Sequence, residues 1–75
     1  MKAKIIALAK KQGAQCTIGR NGDGDTFIEV ALPESFIWEN GYGSGLLYQE
    51  KYESESMAEF WQQAFDFINA PVIKG

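Results

Sequence analysis

Seventy-five residues carrying a formal net charge of −3 make one domain near the lower size limit for independent folding. With 45% hydrophobic residues, among them five Phe, two Trp and three Tyr, the chain is too apolar for disorder and rich enough for one compact core. It has no His and a single Cys, which excludes an internal disulfide, a zinc site of ordinary ligand number and a Cys–His catalytic pair.

A core of this size leaves only ~3–5 kcal/mol of net stability. With disulfide and zinc excluded, a bound partner or a homodimer is the expected supplement. No run approaches the ~20 apolar residues of a membrane helix. The opening Met1–Lys11 has lysine before its apolar residues, but Lys10 and Lys11 interrupt the run and no small-residue cleavage site follows. That pattern is read as a helix of a cytoplasmic protein rather than a leader.

Charge is unevenly distributed. Lys2, Lys4, Lys10, Lys11 and Arg20 lie in the first twenty residues, which hold no acid, and every Asp and Glu follows them. Lys10 and Lys11 also complement the dipole at a helix end. The asymmetry would orient a charged partner.

In chain order, Lys2–Gln12 reads as a helix with Met1, Ile5, Leu8 and Ala9 on one face, widened by Ile6. Gly13 closes it as a left-handed residue. Strands follow at Ala14–Arg20 and Thr26–Leu32, joined by Asn21-Gly22-Asp23-Gly24-Asp25 with its Asn-Gly and Asp-Gly turn signals. On the second strand Ile28, Val30 and Leu32 share one face, leaving Phe27, Glu29 and Ala31 on the other. Pro33 ends it. Phe36–Glu39 is either a short strand or part of a long loop pinned by its aromatics, with Asn40-Gly41 as another turn signal.

Leu46–Glu53 reads as a further strand. Leu46, Tyr48 and Tyr52 share one side and Leu47, Gln49 and Lys51 the other. Ser56 and Glu59 have the spacing of a reciprocal capping box. Met57, Phe60, Trp61, Ala64, Phe65 and Ile68 then recur at helical spacing, with Phe67 at the stripe's edge. Asn69 and Pro71 stop the helix. The expected fold is a small α+β single domain of order α-β-β-(β)-β-α, an antiparallel sheet with both helices on one face.

Reactive chemistry is poorly supplied. Cys16, beside Ile18 on a strand, reads as a small core hydrophobe. Ser44 between Gly43 and Gly45 lacks the spacing and the His of a nucleophile elbow. Asn21, Asp23 and Asp25 match the first three ligand positions of a calcium loop, but Thr26 and Leu32 stand where it needs Gly and Glu. The ten acids fall in turns and on polar faces. No metal, no cofactor and no catalytic residue is expected.

In element order the chain resembles the double-stranded RNA-binding domain. That resemblance implies a lysine cluster at the start of the last helix, where this sequence has Glu53, Glu55 and Glu59. Acids there oppose phosphate contacts. Nucleic-acid binding through Lys2, Lys4, Lys10, Lys11 and Arg20 is therefore the secondary expectation.

The primary expectation is a non-catalytic protein that binds a protein partner stoichiometrically, as a regulator, inhibitor or accessory subunit of bacterial or phage type. Its contact residues would be Phe36, Trp38, Tyr42 and Tyr48 of the glycine-rich middle segment, with Phe27 and Phe67. Aromatic rings bury large areas at low rotamer cost.

Overall fold

The computed structural model of the chain describes residues 1–40 and 44–75. Helix α1 (Lys2–Lys11) places Ile5 and Ala9 in the core, one turn apart. Ile6 faces out and is 45% exposed, so the stripe is narrower than the sequence suggests. Gly13 closes the helix at φ +74°. Its N–H donates to the Lys10 carbonyl (3.1 Å) and that of Ala14 to the Ala9 carbonyl (2.9 Å). This is the paired Schellman pattern that a left-handed glycine permits.

Strands β1 (Gln15–Arg20) and β2 (Thr26–Ala31) form the expected antiparallel hairpin, with Arg20 opposite Thr26 and Gln15 opposite Ala31. The turn is held by Asn21, whose Oδ1 accepts the amides of Asp23 (2.9 Å) and Asp25 (3.0 Å). The Asn21 N–H donates to the Asp25 carbonyl at 2.9 Å. The Asn21 oxygen thus serves the turn itself, the local role for which Asn is favoured there.

Strand β3 (Phe36–Trp38) is real but leaves the main sheet. It pairs antiparallel with β5 (Val72–Lys74), Trp38 opposite Val72, in a separate two-stranded sheet. Strand β4 (Leu46–Glu50) pairs with β2, giving the main sheet the order β1-β2-β4. The expected strand to Glu53 stops three residues early in a single 3-10 turn, Lys51–Glu53. There the Glu53 carboxylate accepts the Glu50 amide (2.8 Å), and the Tyr52 amide donates to the Asp25 carboxylate (2.9 Å). Side chains take the donors that a strand would have offered to a neighbour.

Helix α2 (Met57–Ile68) begins at Ser56, whose Oγ accepts the Glu59 amide at 3.1 Å. Only this half of the expected reciprocal box forms. The Glu59 carboxylate accepts from Gln63 Nε2 (2.8 Å) along the helix face. Phe60, Ala64 and Ile68 are fully buried.

One cluster joins Ile5 and Ala9 of α1, Ile28 and Val30 of β2, Trp38 of β3, Leu47 of β4 and Phe60, Ala64 and Ile68 of α2. Because strand residues alternate faces, this cluster puts both helices on the Ile28/Val30/Leu47 side of the sheet, in contact with each other. The result is a small α+β domain with an antiparallel sheet and both helices on one face.

Candidate functional site

The face opposite the helices follows from the registers. It carries Gln15, Thr17 and Gly19 from β1, Phe27, Glu29 and Ala31 from β2, and Leu46, Tyr48 and Glu50 from β4. The Phe27 ring lies over Gly19, where a Cβ would meet its edge at 3.3 Å. On its other side it stacks against Tyr48 with centroids 5.7 Å apart and planes at 24°. Such a glycine gives a cross-strand ring the room to lie flat on the sheet.

Tyr48 is 48% exposed and Leu46 51%. The Tyr48 hydroxyl donates to Glu50 at 2.9 Å. That bond, with the neighbouring charges of Glu50, Glu29 and Glu53, pushes the phenol's pKa upward. The surface is thus an aromatic and aliphatic strip with carboxylates beside it.

The six aromatics expected to contact a partner do not form one patch. Phe27 and Tyr48 stand together on this outer face. Trp38 is fully buried on the other side of the sheet, and Phe67 meets its ring edge-on at 5.6 Å and 75°. The indole of Trp38 is enclosed by its own fold and presents no surface to another molecule. Phe36 is 39% exposed on β3, in the separate two-stranded sheet. Tyr42, like Gly41 of the Asn40-Gly41 turn signal, lies outside the described residues. Leu46, not among the expected contact residues, shares the Tyr48 face by strand alternation within β4, whereas the β2–β4 register that brings Phe27 to that face is a relation no local pattern carries.

No protein-family model, curated protein or solved structure matches this chain.

The five basic residues of the first twenty positions, Lys2, Lys4, Lys10, Lys11 and Arg20, are all exposed but are also dispersed. Lys2 and Arg20 line one hollow between the helix starts and the hairpin. Lys4 and Lys11, seven residues apart and so aligned after about two turns, lie on the side of α1 away from the Ile5/Ala9 stripe. Cys16 is half-buried, and burial pushes its thiol pKa up. Among the described residues no three His, Cys, Asp or Glu side chains come close enough to hold a metal ion. None of the described helices is long and apolar enough to cross a membrane.

Proposed function

We propose that this chain is a small non-catalytic binding module acting stoichiometrically on a protein partner, as a regulator, inhibitor or accessory subunit. The observation that carries the reading is the stack of Phe27 on Tyr48 beside an exposed Leu46, on a sheet face that neither helix covers. One wet face is ordinary for an antiparallel sheet, but wet faces are usually polar. Here large apolar groups lie together, the surface type that partners bury. The carboxylates of Glu29 and Glu50 select a partner whose rim is basic.

The test is capture by the tagged chain from its native cell, compared between wild type and the double variant Tyr48→Ala/Leu46→Ser. Both side chains are about half exposed, so the variant keeps its fold and its circular dichroism. Loss of one stoichiometric partner supports the reading, and undiminished capture removes it. Binding to nucleic acid through Lys2, Lys4, Lys10, Lys11 and Arg20 draws less support, because those cations point to different sides. A gel shift at ~50 mM salt, where phosphate contacts are strongest, tests it directly.

A further inference from the structure

We propose a second binding site on this protein, at the open edge of β1, for an extended segment of a partner protein in which an apolar residue and an acidic residue stand two apart. The site is the corner of the sheet's inner face left bare between the two helix starts, a hollow of about 310 Å³. Ligand pockets generally span ~300–1,000 Å³, so this one accommodates a side chain or two rather than a cofactor.

Its floor is apolar, made by Ile18 of β1 with Met57 and Trp61 of the first turns of α2. Its charged groups are Lys2 and Arg20, and no acid lines it, although the chain carries ten acids and is net negative. Lys2 precedes Ile5 by three residues and Ala9 by seven, which places it on the core stripe of α1 at its uncovered end. Arg20 and Ile18 share the inner face of β1 by strand alternation. Arg20 Nη1 makes a 3.4 Å contact with the Gly24 carbonyl, which steadies the side chain without neutralising it.

The edge of β1 supplies the main-chain half of the site. The hairpin bonds Asn21 to Asp25, and in an antiparallel pair bonded and non-bonded positions alternate. Gly19, Thr17 and Gln15 therefore bond to β2, while the N–H and C=O groups of Cys16, Ile18 and Arg20 point away from it. β1 is a terminal strand of its sheet, and no strand among the described residues pairs with that side. It has no proline and its register with β2 runs without a bulge, so the one device against edge pairing is the inward charge of Arg20, which an acidic residue on the added strand would neutralise.

A strand added there would use the main-chain groups of Ile18 and Arg20 for pairing and set alternate side chains over the hollow. A residue opposite Ile18 would rest on Ile18, Met57 and Trp61. One two positions along, opposite Arg20, would present its carboxylate to Arg20 and Lys2. The bare cations select the acid, and the unpaired edge selects an extended chain over a small free anion.

The experiment uses the isotope-labelled full chain and a blocked octapeptide of threonines carrying phenylalanine and glutamate two positions apart. Versions with lysine for the glutamate and serine for the phenylalanine serve as controls. Binding should shift the amide signals of Ile18 and Arg20 and slow their hydrogen exchange. Either control peptide, or the double variant Lys2→Glu/Arg20→Glu, should bind about tenfold more weakly at low salt. Tyr48→Ala should bind the peptide like wild type, which separates this site from the outer face. Equal affinity for the lysine peptide, side-chain shifts without amide protection, or perturbation centred on Phe27 and Tyr48 would each overturn the proposal. So would the absence of any shift at millimolar peptide.

Discussion

The side chains of Gln12 and Trp38 are joined directly: the indole Nε1–H donates to Gln12 Oε1 across 3.2 Å, and Gln12 Nε2 donates to the Ile68 carbonyl at 2.7 Å. One amide at the end of α1 thereby satisfies a buried ring on β3 and a terminal carbonyl of α2. Buried donors left unpaired cost more than the bond itself contributes. Gln12→Leu should therefore lower stability by about 1–3 kcal/mol, read as a lower urea midpoint at unchanged slope. Trp38→Ala removes the largest fully buried side chain. At about 3–5 kcal/mol, that loss matches the whole reserve expected of so small a domain, and the variant should lose its cooperative transition. A Trp38→Ala protein that melts like wild type would show that the ring is not core.

Gly45 is irreplaceable for a different reason. A Cβ there would be driven into the carbonyl oxygen of Phe36, where the chain before β4 passes under β3. That crossing is fastened by the Leu32 amide on the Gly45 carbonyl (2.8 Å) and the Trp38 amide on the Ser44 carbonyl (3.1 Å). Backbone cannot swing aside as a flexible side chain can. Gly45→Ala should cost about 1–3 kcal/mol by thermal or urea unfolding, whereas Gly22→Ala, with open space around its Cβ, should cost much less.

How far the sequence carries the fold depends on whether a signal is local. Gly13, the Asn21 turn and the α2 stripe are legible because spacing and turn chemistry act within a few residues. Val72–Lys74 is invisible as a strand: three residues after Pro71 show no alternation worth reading, and only pairing with Phe36–Trp38 makes them one. The end of β4 at Glu50 is equally hidden, since it depends on Asp25, far away in sequence, accepting the Tyr52 amide. The candidate site divides along the same line. Phe27 on a mixed face is legible from β2 alone, but Trp38 reads the same whether it is core or surface. Only the closure of β3 over the core, with Gln12 beneath the indole, decides between them.

Ser54 is nearly buried and depends on α2 for the acceptor of its hydroxyl proton. Its hydroxyl donates to Gln63 Oε1 at 2.7 Å, the same oxygen that accepts Gln49 Nε2 at 2.6 Å. This small network ties β4 and the 3-10 turn to the second helix. Gln63→Ala removes the acceptor of the Ser54 hydroxyl, leaving it only the longer 3.3 Å bond from Gln49 Nε2, and should cost about 1–2 kcal/mol. In the Gln63→Ala/Ser54→Ala double variant the two losses should sum to less than their separate values. Strict additivity in denaturant titrations would show that the two side chains act independently.

Cys16 offers a probe of how firmly the hairpin is closed. Burial holds its pKa above the ordinary thiol value, and the attacking species in alkylation is the thiolate. Reaction with iodoacetamide at pH 8 should be slower than for a free thiol and should recover in urea. Alkylation at the free-thiol rate in native buffer would mean that β1 opens readily.

The Tyr48–Glu50 contact sets a pH dependence whose sign is fixed by the direction of the shift. As a neutral phenol, Tyr48 donates to Glu50; as a phenolate it would repel Glu50, Glu29 and Glu53. Its folded pKa is therefore raised above the unfolded value. The contribution is fully present below the ordinary tyrosine range and is lost as pH rises through the raised folded value. Alkaline titration of tyrosinate absorbance, taken as wild type minus Tyr48→Phe, should place Tyr48 above an unfolded tyrosine. Wild-type stability should also fall faster than that of Tyr48→Phe across the same interval. Because Tyr48 belongs to the stacked pair of the outer face, partner capture should weaken over that pH range in wild type and not in Tyr48→Phe. A Tyr48 that ionises at or below the unfolded value would break the link between the hydrogen bond and the surface it shapes.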